Sequence, residues 1–137
     1  MVNPELAKDY IKRAKIRLNA LDVFMKEKDY ADVIRESQEI VELVQKAMLI
    51  RVGIVPPKWH DVIDVILENS EKFPEKIIKA LKELKPVTKW LRSQREIAFY
   101  GQPDFIPTED YTEDDAAQAY NLAVEYLKIY QELLRFY

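Results

Sequence analysis

The chain is 137 residues long, 48% hydrophobic and 33% charged, which describes a single globular domain over residues 1–137 and not a disordered segment. Its formal net charge of −3 gives no general attraction to nucleic acid or to an anionic membrane, so any contact with RNA needs a local basic patch. The absence of cysteine excludes disulfides and thiolate metal or redox centres, and one histidine excludes a multi-histidine metal site within a single chain.

Asn3-Pro4-Glu5 is a helix start: a capping side chain, a proline in the first turn and an acid favoured by the helix dipole. The helix is predicted to reach Lys26, because Ala7, Ile11, Ala14, Leu18, Leu21 and Met25 recur at steps of three and four. Glu27-Lys28-Asp29 is a short polar link, so the next helix should lie antiparallel to the first. That second helix, capped by Asp29 with Asp32 three residues on, carries Val33, Ser37, Ile40, Val41, Val44, Ala47 and Met48 on one stripe. The rest of the chain is organised around it. Gly53 can end it in the left-handed conformation with Ile54 folded back onto Leu49, and Pro56-Pro57 prevents it from resuming.

A shorter third helix presents Trp59, Val62, Ile63, Ile66 and Leu67 on one face. Pro74 then opens a fourth, with Ile77, Leu81, Leu84, Thr88, Leu91 and Ala98 in line and with Pro86 expected to kink or split it. Gly101–Tyr111 reads as one extended loop anchored by Phe105 and Ile106. Thr112, with Asp115 three residues on, opens the last helix, and Tyr111 is placed to staple onto Ala116. Ala116, Ala119, Tyr120, Ala123, Leu127, Tyr130 and Leu134 form the stripe of that helix. The predicted fold class is therefore all-α, an antiparallel up-and-down bundle of four long helices plus one short helix. No apolar run approaches about 18 residues and no signal-like segment opens the chain, so no membrane contact is expected and the expected compartment is the cytoplasm.

Among candidate functional residues Arg95 is the most informative. It lies about 40° from Leu91 around the fourth helix, within the apolar stripe. An arginine there pairs with an acid on a neighbouring helix, snorkels, or faces a cleft or partner subunit. Arg51 also falls on a buried stripe, in the last turn of its helix, where the dipole favours a cation. Lys82, Lys85, Lys89 and Arg92 make the best single basic patch, and Lys8, Lys12, Arg13, Lys15 and Arg17 give the first helix a basic strip. Each reads as a solvated face or as a phosphate track. His60 is the one side chain with an ordinary pKa near neutrality; beside Asp61 it reads as orienting the turn, with catalysis the alternative. Glu109, Asp110, Glu113, Asp114 and Asp115 crowd a helix N-terminus, as the dipole favours, with a magnesium site the alternative. Tyr120, Tyr126, Tyr130 and Tyr137 read as core and interface before they read as a base-stacking platform. No metal or cofactor is called for.

Two segments, SQEIVELVQKAMLIRVGIVPPKWHD at Ser37–Asp61 and REIAFYGQPDFIPTEDYTEDDAAQAYNLA at Arg95–Ala123, resemble the HEPN family of small helical bundles. The first is similar to that family's second-helix core and the Gly, Pro-Pro and His-Asp turn after it. The second is similar to its late helix, polar loop and closing helix. The resemblance implies a homodimer. It also implies a possible partner, since many HEPN proteins are encoded beside a minimal nucleotidyltransferase and act with it as a toxin–antitoxin pair. Ribonuclease members carry an arginine followed four to six residues later by a histidine. Arg95 resembles that arginine, but the residues four to seven places on are Phe99, Tyr100, Gly101 and Gln102, and His60 lies in the earlier turn. A tyrosine is a poor general base at neutral pH, with a reference pKa of about 10. The leading expectation is a non-catalytic HEPN-like dimer that binds nucleotide or a nucleotidyltransferase, through Arg95 with Arg92, Tyr100 and Lys89. Two further readings stay open. One is an atypical metal-independent endoribonuclease using Arg95 with Tyr100 or His60. The other is a structural interaction protein.

Overall fold

The computed structural model describes residues 3–137, and its helices begin where the capping chemistry places them. The Asn3 side chain accepts the Glu5 N–H at 2.9 Å to open α1, Pro4–Lys26. The Asp29 carboxylate accepts the Asp32 N–H at 3.2 Å to open α2, Tyr30–Arg51. Both helices end on the same hydrogen-bonded turn. After α2, Gly53 (φ 87°) lets the Ile54 N–H reach the Leu49 carbonyl at 2.9 Å while its own N–H reaches Ile50 at 3.0 Å. After α1 the left-handed position is filled by Lys28 (φ 61°), and the Asp29 N–H reaches the Phe24 carbonyl at 2.8 Å. A side chain in that conformation costs roughly 1 kcal/mol relative to glycine.

The chain continues through α3 (Val62–Glu68), a 3₁₀ turn (Ser70–Lys72), α4 (Glu75–Ser93), α5 (Arg95–Tyr100), α6 (Pro107–Asp110) and α7 (Glu113–Leu134). Thr112 and Asp115 close the capping box of α7 in both directions, at 3.1 and 3.0 Å. Cross-helix contacts give the directions of the four long helices. Arg51 at the end of α2 lies beside Lys8 and Lys12 near the start of α1, and Arg17 pairs with Glu36, so these two are antiparallel. Lys76 meets Glu132 while Thr88 meets Tyr126, so α4 and α7 are antiparallel as well. Successive long helices thus alternate up and down. The second most extensive packing, α2 on α7, is parallel: Gln45 meets Tyr126 and Arg51 meets Tyr130.

Because α1, α5 and α7 all pack on α2, that helix is buried over far more than one stripe. Ile34, Gln38, Gln45 and Leu49 are inside together with the predicted Val33, Ile40, Val44 and Met48. Full burial of each large apolar side chain there is worth about 1.5–3 kcal/mol. Gln45 is accommodated by a polar contact within the core. Thr88 Oγ1 gives its one proton to the Leu84 carbonyl at 2.9 Å, so Tyr126 Oη donates to Thr88 at 2.8 Å and accepts from Gln45 Nε2 at 3.2 Å. Burial pushes the Tyr126 phenol up to about 12, against the lowering pull of Thr88 and Gln45, so it stays protonated.

Four expectations are corrected. Among the described residues the bundle has three short α-helices and a 3₁₀ turn beside four long helices, where one short helix was expected. Pro86 does not split α4, which runs unbroken from Glu75 to Ser93; the residue is exposed, so the carbonyl it frees faces water. The break falls at Gln94 instead, where Ser93 Oγ bonds back to the Trp90 carbonyl at 2.6 Å and competes with the helix. Trp59 lies outside α3 and is 88% exposed, and Ile106, expected as an anchor, is exposed because it turns outward to open α6. Phe105 does pack down, edge to face with Tyr111 at 4.8 Å. Among the described residues no helix is long and apolar enough to cross a membrane.

Candidate functional site

Arg95 is the first residue of α5, directly after the break at Gln94. Its side chain is 44% exposed, while Leu91 before it and Ala98 after it on the same stripe are buried. Its Nε lies 3.7 Å from Glu39 Oε1 and its Nη1 4.0 Å from Glu42 Oε2, both on α2. Of the arrangements open to an arginine on this stripe, Arg95 takes the pairing with acids of a neighbouring helix, loosely and with its side chain partly in water. Glu39 is shared: Arg35 Nε lies 3.7 Å from the same oxygen, and the Arg35 guanidinium sits 4.6 Å over the Phe99 ring. Lys46 holds Glu42 at 3.3 Å. A shallow pocket of about 240 Å³ opens between Arg95 and these acids, with Tyr10 and Arg13 of α1 on its far side.

Beside this charged row α5 presents Phe99 and Tyr100. They stack edge to face at 4.7 Å, with Tyr100 79% exposed. Gly101 (φ 71°) ends α5, and the chain returns on a tight turn in which Gln102 and Phe105 exchange two backbone bonds of 3.0 Å. Tyr111 Oη donates to Gln94 Oε1 at 2.8 Å and ties the start of α7 to the hinge before α5. Burial, with Asp115 nearby, pushes that phenol up to about 12, so it remains a donor.

The four residues expected to act together divide into two groups. Arg95 and Tyr100 share the α5 face. Lys89 and Arg92 instead turn to α3: Lys89 Nζ lies 2.6 Å from Asp64 and 2.9 Å from Asp61, and Arg92 lies 3.8 Å from Asp61. The bonds to Asp64, then Asp61, raise the Lys89 pKa above its ordinary value. Those carboxylates neutralise half of the expected basic patch and leave Lys82 and Lys85 as its exposed members. His60 is exposed and, among the described residues, makes no hydrogen bond, so it does not cap the turn. The acids after Gly101 serve the backbone locally: Asp110 accepts the Ile106 N–H at 2.6 Å, and Asp115 closes the α7 capping box. Among the described residues, no three acids or histidines converge as metal ligands would. Arg35 and Glu39 were missed by sequence reasoning. Their spacing of four residues marks an ion pair, but only the fold places Phe99 and Arg95 against it.

A family model described as "HEPN domain" matches residues 7–133. The chain is also similar to a protein of Methanocaldococcus jannaschii named "Putative toxin MJ1304": 28% identical over 141 residues, covering 97% of this chain and 91% of that protein. No solved structure gives a significant match.

Proposed function

This chain belongs to the HEPN domain family, and on that premise we propose that it is a non-catalytic homodimer that binds nucleotide or a minimal nucleotidyltransferase partner, as one half of a toxin–antitoxin-like pair in the cytoplasm. One observation carries the reading: α5 presents Arg95 beside exposed Phe99 and Tyr100, and carries no histidine of its own to move a proton. Held at 3.7 and 4.0 Å by Glu39 and Glu42, the guanidinium keeps donors free for a phosphate or a carboxylate, which it can grip with two parallel bonds. The aromatic pair offers a face for a base or an apolar anchor for a partner. The relative named as a toxin supports the toxin–antitoxin setting. Light scattering should give twice the chain mass of 16.2 kDa, and purification from the native host should bring down a nucleotidyltransferase that Arg95→Ala releases. A single-chain mass, with neither nucleotidyltransferase nor nucleotide retained, would sink the proposal.

The second reading is an endoribonuclease in which Arg95 stabilises the charge that builds up on phosphate and Tyr100, five residues on, moves the proton. The relative's toxin name favours it; the weakness of a phenol as a general base at neutral pH weighs against it.

A further inference from the structure

A second cationic site lies away from Arg95, at the end of the bundle where α2 and α7 finish. Lys8, Lys12 and Lys15 recur at steps of four and three and so share one face of α1. The antiparallel packing of α2 brings Arg51, in its last turn, beside them, and the four cations surround a cleft of about 300 Å³. The cleft has no carboxylate in its lining; Ile11, Leu134 and the Tyr130 ring supply its apolar wall. Lys8 also pairs with exposed Glu5 at 3.1 Å, but among the described residues no ion pair involves Lys12, Lys15 or Arg51. In a chain of net charge −3, four cations around a cleft without a carboxylate are a local excess.

Arg51 is held in place as a ligand-binding arginine would be. Its Nε donates to Tyr130 Oη at 3.0 Å, and Tyr130 is only 2% exposed, so the guanidinium is fixed and its terminal N–H groups remain for a ligand. Two helix C-termini meet here, each worth about half a negative charge. The last carbonyls of α2 are already bonded to the N–H groups of Val52, Gly53 and Ile54, and four full positive charges exceed what remains. The cations extend over two turns of α1, about 10 Å, which is more than one phosphate spans. The volume sits at the lower end of small-ligand sites, about 300–1,000 Å³. An RNA track would need the cations to continue along the helix, but Arg13 and Arg17 turn elsewhere, to Asp9 and Glu36.

We propose that this cleft binds an oligophosphate: two or three linked phosphates, as in inorganic triphosphate or the tail of a nucleoside triphosphate. The site is separate from the Arg95 face and does not depend on the function proposed for it. The test is titration calorimetry on the full chain at low salt with inorganic triphosphate, ATP and AMP. It compares the unaltered protein, Lys12→Glu with Lys15→Glu, Arg51→Gln, and Lys82→Glu with Lys85→Glu as a control. The lysines are exposed, so their reversal leaves the fold intact, and glutamine can still donate to Tyr130. Triphosphate should bind at least tenfold more tightly than AMP. The double reversal and Arg51→Gln should each weaken triphosphate at least tenfold, and Lys82→Glu with Lys85→Glu, an equal change of charge on exposed residues of α4, should leave it unchanged. An equal loss for ATP assigns the site to the phosphates alone; a larger loss for ATP adds a contact to the nucleoside, and either result supports the site. Failure of triphosphate to bind, triphosphate binding that survives the double reversal, or an equal loss in the Lys82 and Lys85 control overturns it.

Discussion

Gly101 and Gly53 both have positive φ, at 71° and 87°, but they differ in surroundings. A Cβ on Gly53 would meet nothing within 4 Å, whereas one on Gly101 would lie 2.8 Å from the Phe105 carbonyl oxygen and 2.9 Å from Pro107 Cδ. Gly53→Ala should therefore cost roughly 1 kcal/mol, and Gly101→Ala should add a packing penalty of about 1–3 kcal/mol and loosen the turn after α5. Lys28→Gly, at the matching position after α1, should gain up to about 1 kcal/mol. Urea unfolding of the three variants checks the order. Tyr126→Phe strands the buried Gln45 donor and should cost about 1–3 kcal/mol in the same measurement. At this scale the sequence was informative about caps and stops: Asn3, Asp29, Gly53 and Thr112 all act as their chemistry predicts. Arg95 was singled out by its place between Leu91 and Ala98, both buried as expected, but its own side chain reaches water and the acids of α2. The periodicity was carried through Gln94, where no glycine or proline marks the break and a serine side chain makes it.

Helix propensity and periodicity made the four long helices legible, but not what each face meets. The outer lysines of α4 read as one patch; the placement of α3 divides them, because Asp61 and Asp64 engage Lys89 while Lys82 and Lys85 stay in water. The start of α2 carries a pH response of its own. Asp32 is raised from 3.8 to about 6, first by its hydrogen bond with Asp29, then by burial and by the charges of Asp29 and Glu36, against Arg35. Between those two values the folded chain holds more protons than the unfolded one. The stability contributed by protonated Asp32 is thus present below about pH 4 and lost as the pH rises through 6. Asp32→Asn should stabilise the protein at pH 7.5, by no more than about 1 kcal/mol once solvent screening of this half-buried group is allowed for. The gain should vanish at pH 3.5. Thermal unfolding at the two pH values reads the difference, and a gain that persists at low pH contradicts the assignment.

For the molecule as a whole, the all-α bundle was readable from apolar stripes and short links, as was the family, whose model matches residues 7–133. The parallel seam between α2 and α7 was not readable, because it joins residues about eighty positions apart that no local pattern relates. That seam sets the function-bearing surfaces. It aligns Arg51 with Tyr130 at one end of the bundle, while α5 and its Arg95 lie against the Glu39–Glu42 stretch of α2. As proposed, the α5 face binds without cutting. Incubating purified protein with RNA in the absence of added metal, beside an Arg95→Ala control, tests it most directly. No cleavage by either protein is the predicted result; cleavage by the unaltered chain that disappears in the control would contradict the claim and make the protein a ribonuclease.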